Sequence, residues 1–419
     1  MPLFGLIDCN NFYVSCERVF NPKIENKPVV ILSNNDGCII ARSNEAKKLN
    51  IPMGAPYFQW KSFLNKNNVF VYSSNYALYG DMSHRVMSII QEFCRNIEIY
   101  SIDEAFLEFN NINSNDLYLY SINIIKIIKQ NTGIPTSIGI AKTKTLAKIA
   151  NYIAKKQRQT GVFNLCDPKI INNALASLPV NKTWGIGQKH SAKLKEHGIY
   201  TAIHLRDANQ KIIRSKFSVV VEKIIQELNG ISCLPLESIQ PKKQIMSSRS
   251  FGHELQDIEN IAEAVSHYTS TACLKLRKQN SMANGISVFI HTNLFNPENL
   301  KYSNNISYKF PTPSNDTSYI IHIAKFCLNK IFKKKYKYKK AGIILFDIVP
   351  KDLIQQDLFI NNDNSKKINL LKTIDNINEK LGKNTVFYCA EGIKKKRQSK
   401  EQNKSPSYTT KWEDIPNIK

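Results

Sequence analysis

The residues best placed to do chemistry are two adjacent carboxylates, Asp103 and Glu104. They lie inside the apolar, β-prone run Ile99-Tyr100-Ser101-Ile102-Asp103-Glu104-Ala105-Phe106-Leu107. A buried carboxylate is costly unless it is neutralised, paired with a cation or bound to metal. On a straight strand neighbouring side chains point to opposite faces. The two acids therefore converge only where the chain turns or bulges, as at a hairpin tip. A second apolar run, Leu3-Phe4-Gly5-Leu6-Ile7-Asp8, also ends on an acid. If these strands are neighbours, Asp8, Asp103 and Glu104 form a three-carboxylate cluster at one edge of a sheet. Such a cluster suits two hard cations about 3.5–4 Å apart, the arrangement for phosphoryl transfer. An Asp-Glu pair that merely caps a turn is the simpler alternative.

The elements that must position these acids follow from periodicity and turn signals. Residues 3–9 read as a buried strand, and Asn10-Asn11-Phe12-Tyr13-Val14-Ser15-Cys16-Glu17 turns into a short helix. A second strand, Lys27 to Leu32, ends at the turn-rich Ser33-Asn34-Asn35-Asp36-Gly37. Helical spacing runs from Tyr76 to Phe93 and leads into a hairpin over 97–109. An amphipathic helix ending at Thr132-Gly133, a strand at Thr136–Ala141 and a basic helix from Thr143 to Lys156 follow. The order β-α-β-β-α-β, with 26–76 inserted, is ferredoxin-like. Residues 166–235 change to short helices around Trp184-Gly185-Ile186-Gly187-Gln188-Lys189. A Gly-Ile-Gly turn at a helix start is either a phosphate cradle or a plain tight connection, and Lys189 favours a backbone contact with nucleic acid. After a linker at 236–246, strands at 247–252, 285–292, 305–310 and 341–348 and helices at 258–279 and 316–332 form a separate α+β module.

Composition sets the class of partner. The 419 residues exceed what one core serves, about 250–300 residues. Lys and Arg total 58 against 34 Asp and Glu, a net charge of +24, which suggests a polyanion, nucleic acid first and a membrane surface second. No apolar run reaches the roughly 18 residues a membrane span needs. The N-terminus lacks the layout of a signal peptide, so a cytoplasmic location is expected. The nine scattered cysteines include no CxxC pair and read as small buried hydrophobes. The run Lys333 to Lys340 is either a solvated face or, through its interleaved tyrosines, a strip along a nucleic-acid backbone. After residue 350 the chain turns polar. A lone strand is expected at 385–390, and a tail that is disordered when free from Lys394.

Four ordered motifs carry a resemblance. Asp8-Cys9-Asn10-Asn11-Phe12-Tyr13, Ser33-Asn34-Asn35-Asp36-Gly37-Cys38, Ser101-Ile102-Asp103-Glu104-Ala105-Phe106 and Trp184-Gly185-Ile186-Gly187 stand in the order seen in Y-family DNA polymerases. The pattern is similar to the UmuC-like branch, through to the ending Ser405-Pro406-Ser407-Tyr408-Thr409-Thr410. The resemblance implies an α+β multidomain, right-hand polymerase. It assigns a ferredoxin-like palm to 1–25 and 77–165, small fingers to 26–76, a helical thumb to 166–235 and an α+β little finger to 247–350. The remainder, 351–419, is implied to bind partners. It implies that Asp8, Asp103 and Glu104, with the carbonyl of Cys9, hold two Mg²⁺ ions. Tyr13 stands where the family keeps an aromatic gate against a ribose 2′-OH, and Lys47 and Lys155 match positions that hold the dNTP triphosphate. Relatives commonly have Arg in place of Lys47; Arg42 is close enough to compensate. Gly185, Gly187, Lys189, Lys337 and Lys339 are the expected DNA contacts. Gln355, Leu358 and Phe359 belong to a short clamp-binding peptide that departs from its relatives at Gln356. Loss of that apolar anchor is worth roughly 1–3 kcal/mol of burial, so weak clamp binding is expected.

The function implied is error-prone translesion synthesis during SOS mutagenesis and DNA repair. Its partners would be primer-template DNA, a UmuD-like accessory subunit, a RecA filament and the sliding clamp. Two other readings use the same residues. A ferredoxin-like sheet with paired carboxylates also suits a nucleotidyl cyclase, which has no use for the basic modules. A non-catalytic DNA-binding scaffold would leave the three acids unexplained.

Overall fold

The computed structural model describes residues 3–109, 114–157, 160–238, 240–296, 300–353, 365–393 and 400–416. The chain divides into two compact units, Met1–Ile239 with Gln402–Lys419, and Gln240–Glu401.

The strands of the first unit are β1 (Leu3–Cys9), β2 (Val29–Leu32), β3 (Ile39–Arg42), β4 (Phe70–Ser73), β5 (Ile97–Ile99), β6 (Glu104–Phe109), β7 (Thr136–Ala141) and β8 (Val162–Leu165). Five of them form one sheet in the order β5-β6-β1-β7-β8, and β3-β2-β4 form a small second sheet. The main sheet is buried on both faces, and each strand feeds two cores by alternation. Ile7 and Cys9 of β1 join Ala105 and Leu107 of β6 beneath helices Phe12–Phe20, Tyr76–Phe93 and Ser114–Thr132. Phe4, Leu6 and Phe106 face the other way, against helix Lys144–Gln157.

That helix lies unusually close to β7, and Gly139 is the reason. A Cβ there would stand 2.0 Å from the backbone nitrogen of Asn151 and 2.5 Å from the carbonyl of Ala147. The close approach lets Asn151 Nδ2 donate to the carbonyls of Leu6 and Ser137, at 3.1 and 2.8 Å. At the helix start, the buried Glu227 accepts from the backbone of Thr145 at 3.0 Å, where a carboxylate complements the helix dipole. Glu227 lies in helix Val219–Leu228, so the five short helices spanning 168–228 are tied to the main sheet.

In the second unit β9 (Ile245–Leu255), β10 (Ser281–Thr292), β11 (Ser303–Ser314) and β12 (Tyr338–Pro350) pair antiparallel in the order β11-β10-β12-β9. Helices Ile258–Lys278 and Thr317–Ile331 cover one face. The module matches the sequence expectation in every element, with three strands longer at both ends and β10 longer at its start only. The two tyrosines of the basic run pack against the module, one in its core and one half-buried at its edge. Tyr338 is fully buried and Tyr336 stacks on Tyr302 at 4.5 Å. Apolar rings beside a strand gain more from the core than from water.

The region after 350 also departs from expectation. Ser365–Lys380 is a helix held to the second unit by a bidentate pair between Arg277 and Asp375 at 2.7 and 2.8 Å. No strand forms at 385–390; Cys389–Glu391 is a 3-10 turn fastened by His267 and Glu391 at 2.7 Å. Cys389 is exposed, unlike the buried hydrophobe expected of it. Residues 402–416 are not a free tail: they pack on the first unit, and Ser405 is buried. Gln355, Leu358 and Phe359 lie outside the described residues.

Replacing Gly139 with alanine should force β7 and helix Lys144–Gln157 apart. We expect a loss of at least about 1–3 kcal/mol, the range for overpacked cores, measured by urea denaturation.

Candidate active site

The antiparallel register of β1 and β6 puts Asp8 directly opposite Glu104. Both point to the face covered by helix Lys144–Gln157, and that helix answers with two lysines seven residues apart. Lys155 Nζ lies 2.5 Å from Asp8 Oδ2 and Lys148 Nζ lies 3.0 Å from Glu104 Oε2. Asp103 sits just before β6, in a bend closed by backbone bonds from Tyr100 and Ser101 to the Glu104 carbonyl. Its carbonyl accepts from the Cys9 amide at 2.8 Å, and its carboxylate accepts from Ser101 Oγ at 2.6 Å. The turn required for the adjacent acids to share one edge is therefore present.

The three carboxylates are neighbours, with Asp8 and Glu104 side by side, and each acid also bonds a partner of its own. Among the described residues, no three His, Cys, Asp or Glu side chains are drawn together as a ready ion cage. Unscreened like charges repel, so each acid turns to a lysine or a hydroxyl. Burial pushes the Asp8 carboxyl up to about 7, Lys155 pulls it down and Glu104 pushes it up again. Burial dominates, so the ionised carboxylate is poorly solvated even beside its lysine. Hard oxygen donors lacking positive charge are what a divalent cation satisfies, so the residues fit the metal site expected of them.

Lys148 is held by aromatic rings, which sequence reading missed. Its Nζ lies 4.4 Å from the ring centre of Tyr100 and 5.2 Å from that of Trp184. Trp184 opens the Trp-Gly-Ile-Gly turn, so the motif's ring docks beside the acids. Gly185 has φ +84° and a Cβ there would meet Ile224 at 2.7 Å, so it is a packing glycine. Gly187, at the start of helix Gln188–Glu196, has open space where a side chain would stand, and Lys189 is exposed.

On the opposite face of β1, helix Phe12–Phe20 starts at Asn11 with φ 48° and carries Tyr13. The Tyr13 ring stacks on Tyr79 at 4.5 Å and meets Tyr76 edge-on at 6.2 Å. Tyr79 donates to the buried Glu17 at 2.7 Å. Of the other predicted nucleotide contacts, Lys47 donates to Asn11 at 2.5 Å, while Arg42 donates to the Ile51 carbonyl. In the second unit Lys337 is exposed and Lys339 donates to the Phe251 carbonyl at 2.7 Å.

Residues 7–152 match the model of the impB/mucB/samB family and residues 242–358 match that family's C-terminal domain. The protein UmuC of Salmonella typhimurium is 41% identical over 100% of both chains. The chain belongs to the impB/mucB/samB family. This is the UmuC-like branch of the Y-family DNA polymerases. The Salmonella typhimurium protein ImpB is 41% identical and the Escherichia coli protein MucB 36%, each over 99% of both chains. Residues 369–418 match a domain of unknown function. A ternary insertion complex of the polymerase Dbh covers 83% of this chain and 99% of its own, with a TM-score of 0.57 at 21% identity. DinB from Sulfolobus solfataricus has the same coverage, with a TM-score of 0.53 at 22% identity. The impB/mucB/samB chain thus has the Y-family polymerase fold. Among the described residues, no helix is long and apolar enough to cross a membrane.

In the metal-free protein the Asp8 carboxyl should titrate near pH 7 rather than near 3.8, followed by carboxyl-carbon NMR. Lys155→Met should move that midpoint upward, because the lysine favours the ionised form. Since the folded value is raised, the Asp8 contribution to stability is present at low pH and fades as pH rises through about 7.

Proposed function

We propose that the chain is an error-prone translesion polymerase that joins dNTPs to a primer by template-directed nucleotidyl transfer. The observation that carries this reading is the pairing of Asp8 with Glu104 across two central strands, with Asp103 bonded to the adjoining Cys9 amide. Asp8, Asp103, Glu104 and the Cys9 carbonyl would hold two Mg²⁺ ions. When bound, such ions lower the pKa of a primer 3′-OH and neutralise charge on a triphosphate.

The chain's own residues would do the rest. Lys155 would release Asp8 and turn to the triphosphate, since its side chain is over one-third exposed. Lys47, already at the tip of the Asn11 turn, would hold the same group. Arg42 would brace the small insertion through Ile51 rather than grip phosphate. Tyr13 would stand against the 2′ position of the incoming sugar. Lys189, Lys337 and Lys339 would contact the DNA backbone, where lysines give affinity without sequence preference. We assign palm, fingers, thumb and little finger to 1–25 with 77–165, 26–76, 166–235 and 247–350.

A fingers insertion of about 50 residues builds a small wall, and specificity depends on contacts that differ between transition states. Low fidelity and tolerance of damaged templates follow. A role in SOS mutagenesis, a UmuD-like accessory subunit, a RecA filament, weak clamp binding and a cytoplasmic location complete the reading, by analogy with its relatives. A cyclase would leave Gly187, Lys189 and the basic second unit without a task.

The test is primer extension with Mg²⁺ and dNTPs on intact and abasic templates, with a UmuD-like subunit and RecA filament added in parallel. Extension that Asp103→Ala abolishes is expected. DNA binding without extension under every condition would instead favour a scaffold. Tyr13→Ala should raise ribonucleotide insertion by at least about tenfold, since only the ring's bulk excludes the hydroxyl.

A further inference from the structure

The aromatic wall around Tyr13 is not built by the catalytic region alone. Residues 402–414 run across the two helices that carry it. Tyr13 and Glu17 belong to helix Phe12–Phe20, while Tyr76 and Tyr79 belong to helix Tyr76–Phe93. Ser405 Oγ donates to Glu17 Oε1 at 3.1 Å, the same oxygen that accepts from Tyr79 at 2.7 Å. Asn75, the N-cap of the second helix, donates through Nδ2 to Ser405 Oγ at 3.0 Å and to the carbonyl of Pro406 at 3.1 Å. Tyr408 stacks on Phe20, the last residue of the first helix, at 4.7 Å and 7° between planes.

The same segment reaches the Ser33–Gly37 turn. The Gln402 amide donates to Asp36 Oδ2 at 2.9 Å, and Ser73 Oγ donates to Asp36 Oδ1 at 2.6 Å while accepting from Asn403 at 3.0 Å. Apart from the exposed Gln402 contact, these bonds are buried or half-buried, so each lost partner there leaves a polar group unsatisfied. Buried polar networks of this kind set a single geometry when every member is paired.

We infer that the C-terminal segment positions the sugar-selecting wall, with Ser405 acting through Glu17 and Tyr79 on the Tyr13 ring. Ser405 is a positioning residue: it touches neither nucleotide nor metal site. The inference rests on the reading of Tyr13 as the ring that meets the sugar. It gives a task to part of the region, 369–418, that matches a domain of unknown function. A ring packed face-to-face on Tyr79 keeps its place only while Tyr79 does. Tyr79 is fixed by one phenolic bond to a glutamate whose second donor comes from the far end of the chain.

The test is single-nucleotide insertion by the full-length protein, under the conditions that support its extension, comparing a dNTP with the matching ribonucleotide. Ser405→Ala and Tyr408→Leu should each reduce discrimination about 3- to 10-fold, the size of one net hydrogen bond. The change should appear mainly as a lower ribonucleotide KM. Ser405→Thr, which keeps the hydroxyl, should restore most of the discrimination. In a Tyr13→Ala background, Ser405→Ala should add nothing, because its effect passes through the ring. Equal losses for both nucleotides, or an unchanged ratio, would overturn the inference while leaving the polymerase reading intact. If Tyr13→Ala itself leaves the ratio unchanged, the gate assignment fails and the positioning role falls with it. Should Ser405→Ala fold poorly, Tyr408→Leu carries the same comparison.

Discussion

Everything in the site depends on one contact, the close packing of helix Lys144–Gln157 against the centre of the main sheet. Asp8 and Glu104 are cross-strand neighbours in a buried sheet, where two bare carboxylates side by side would repel. The helix supplies the compensating charges, Lys155 and Lys148, from positions two turns apart on the facing side. It can do so only because Gly139 removes the side chain that would hold it off. Asn151, between the two lysines, then pins the helix to β1 and β7 through their carbonyls. Charge balance at the acids and backbone packing beneath them are one arrangement.

That arrangement also explains why the acids are not preformed as an ion cage. Two lysines and a serine hydroxyl each bond one of them, so any group that took up these carboxylates would have to displace Lys155 or Lys148. Lys148 gives way less readily, since the rings of Tyr100 and Trp184 hold it. Lys155 is more exposed and the freer of the two to leave. Residues of one type thus stand in different surroundings: Lys148 is enclosed by rings beside Glu104, and Lys155 is over one-third exposed beside Asp8.

Local signals carried much of this. Apolar runs ending on Asp8 and at Asp103-Glu104 gave the strands, and the spacing of apolar residues gave helix Tyr76–Phe93 and the end of helix Ser114–Thr132. The four strands and two helices of the second unit were legible for the same reason, an alternation that survives because one face is buried. Contacts between distant residues were not legible. Nothing local says that Lys148 meets Glu104, that Arg42 turns to Ile51, or that Tyr338 in a run of lysines is a core residue. The helix Ser365–Lys380 was missed although Ile368, Leu371, Ile374 and Ile377 recur every three residues and Leu371 is buried; the Asn- and Lys-rich surroundings masked that row, and the pair of Arg277 with Asp375 is a contact between distant residues.

The basic surplus shows the same limit from the other side. A net charge of +24 argues for a polyanionic partner, but several of the cations counted in it are paired with acids of the same chain. Lys144 is buried against Glu98, Arg277 braces Asp375, and Lys148 and Lys155 neutralise the site. These four meet acids, so they add nothing to the net charge. The surplus therefore resides in the remaining lysines and arginines, exposed ones such as Lys189 and Lys337 among them. Exposed lysines hold a phosphate backbone by charge alone and impose no sequence preference. A polymerase must accept any template sequence, and a grip of that kind suits it.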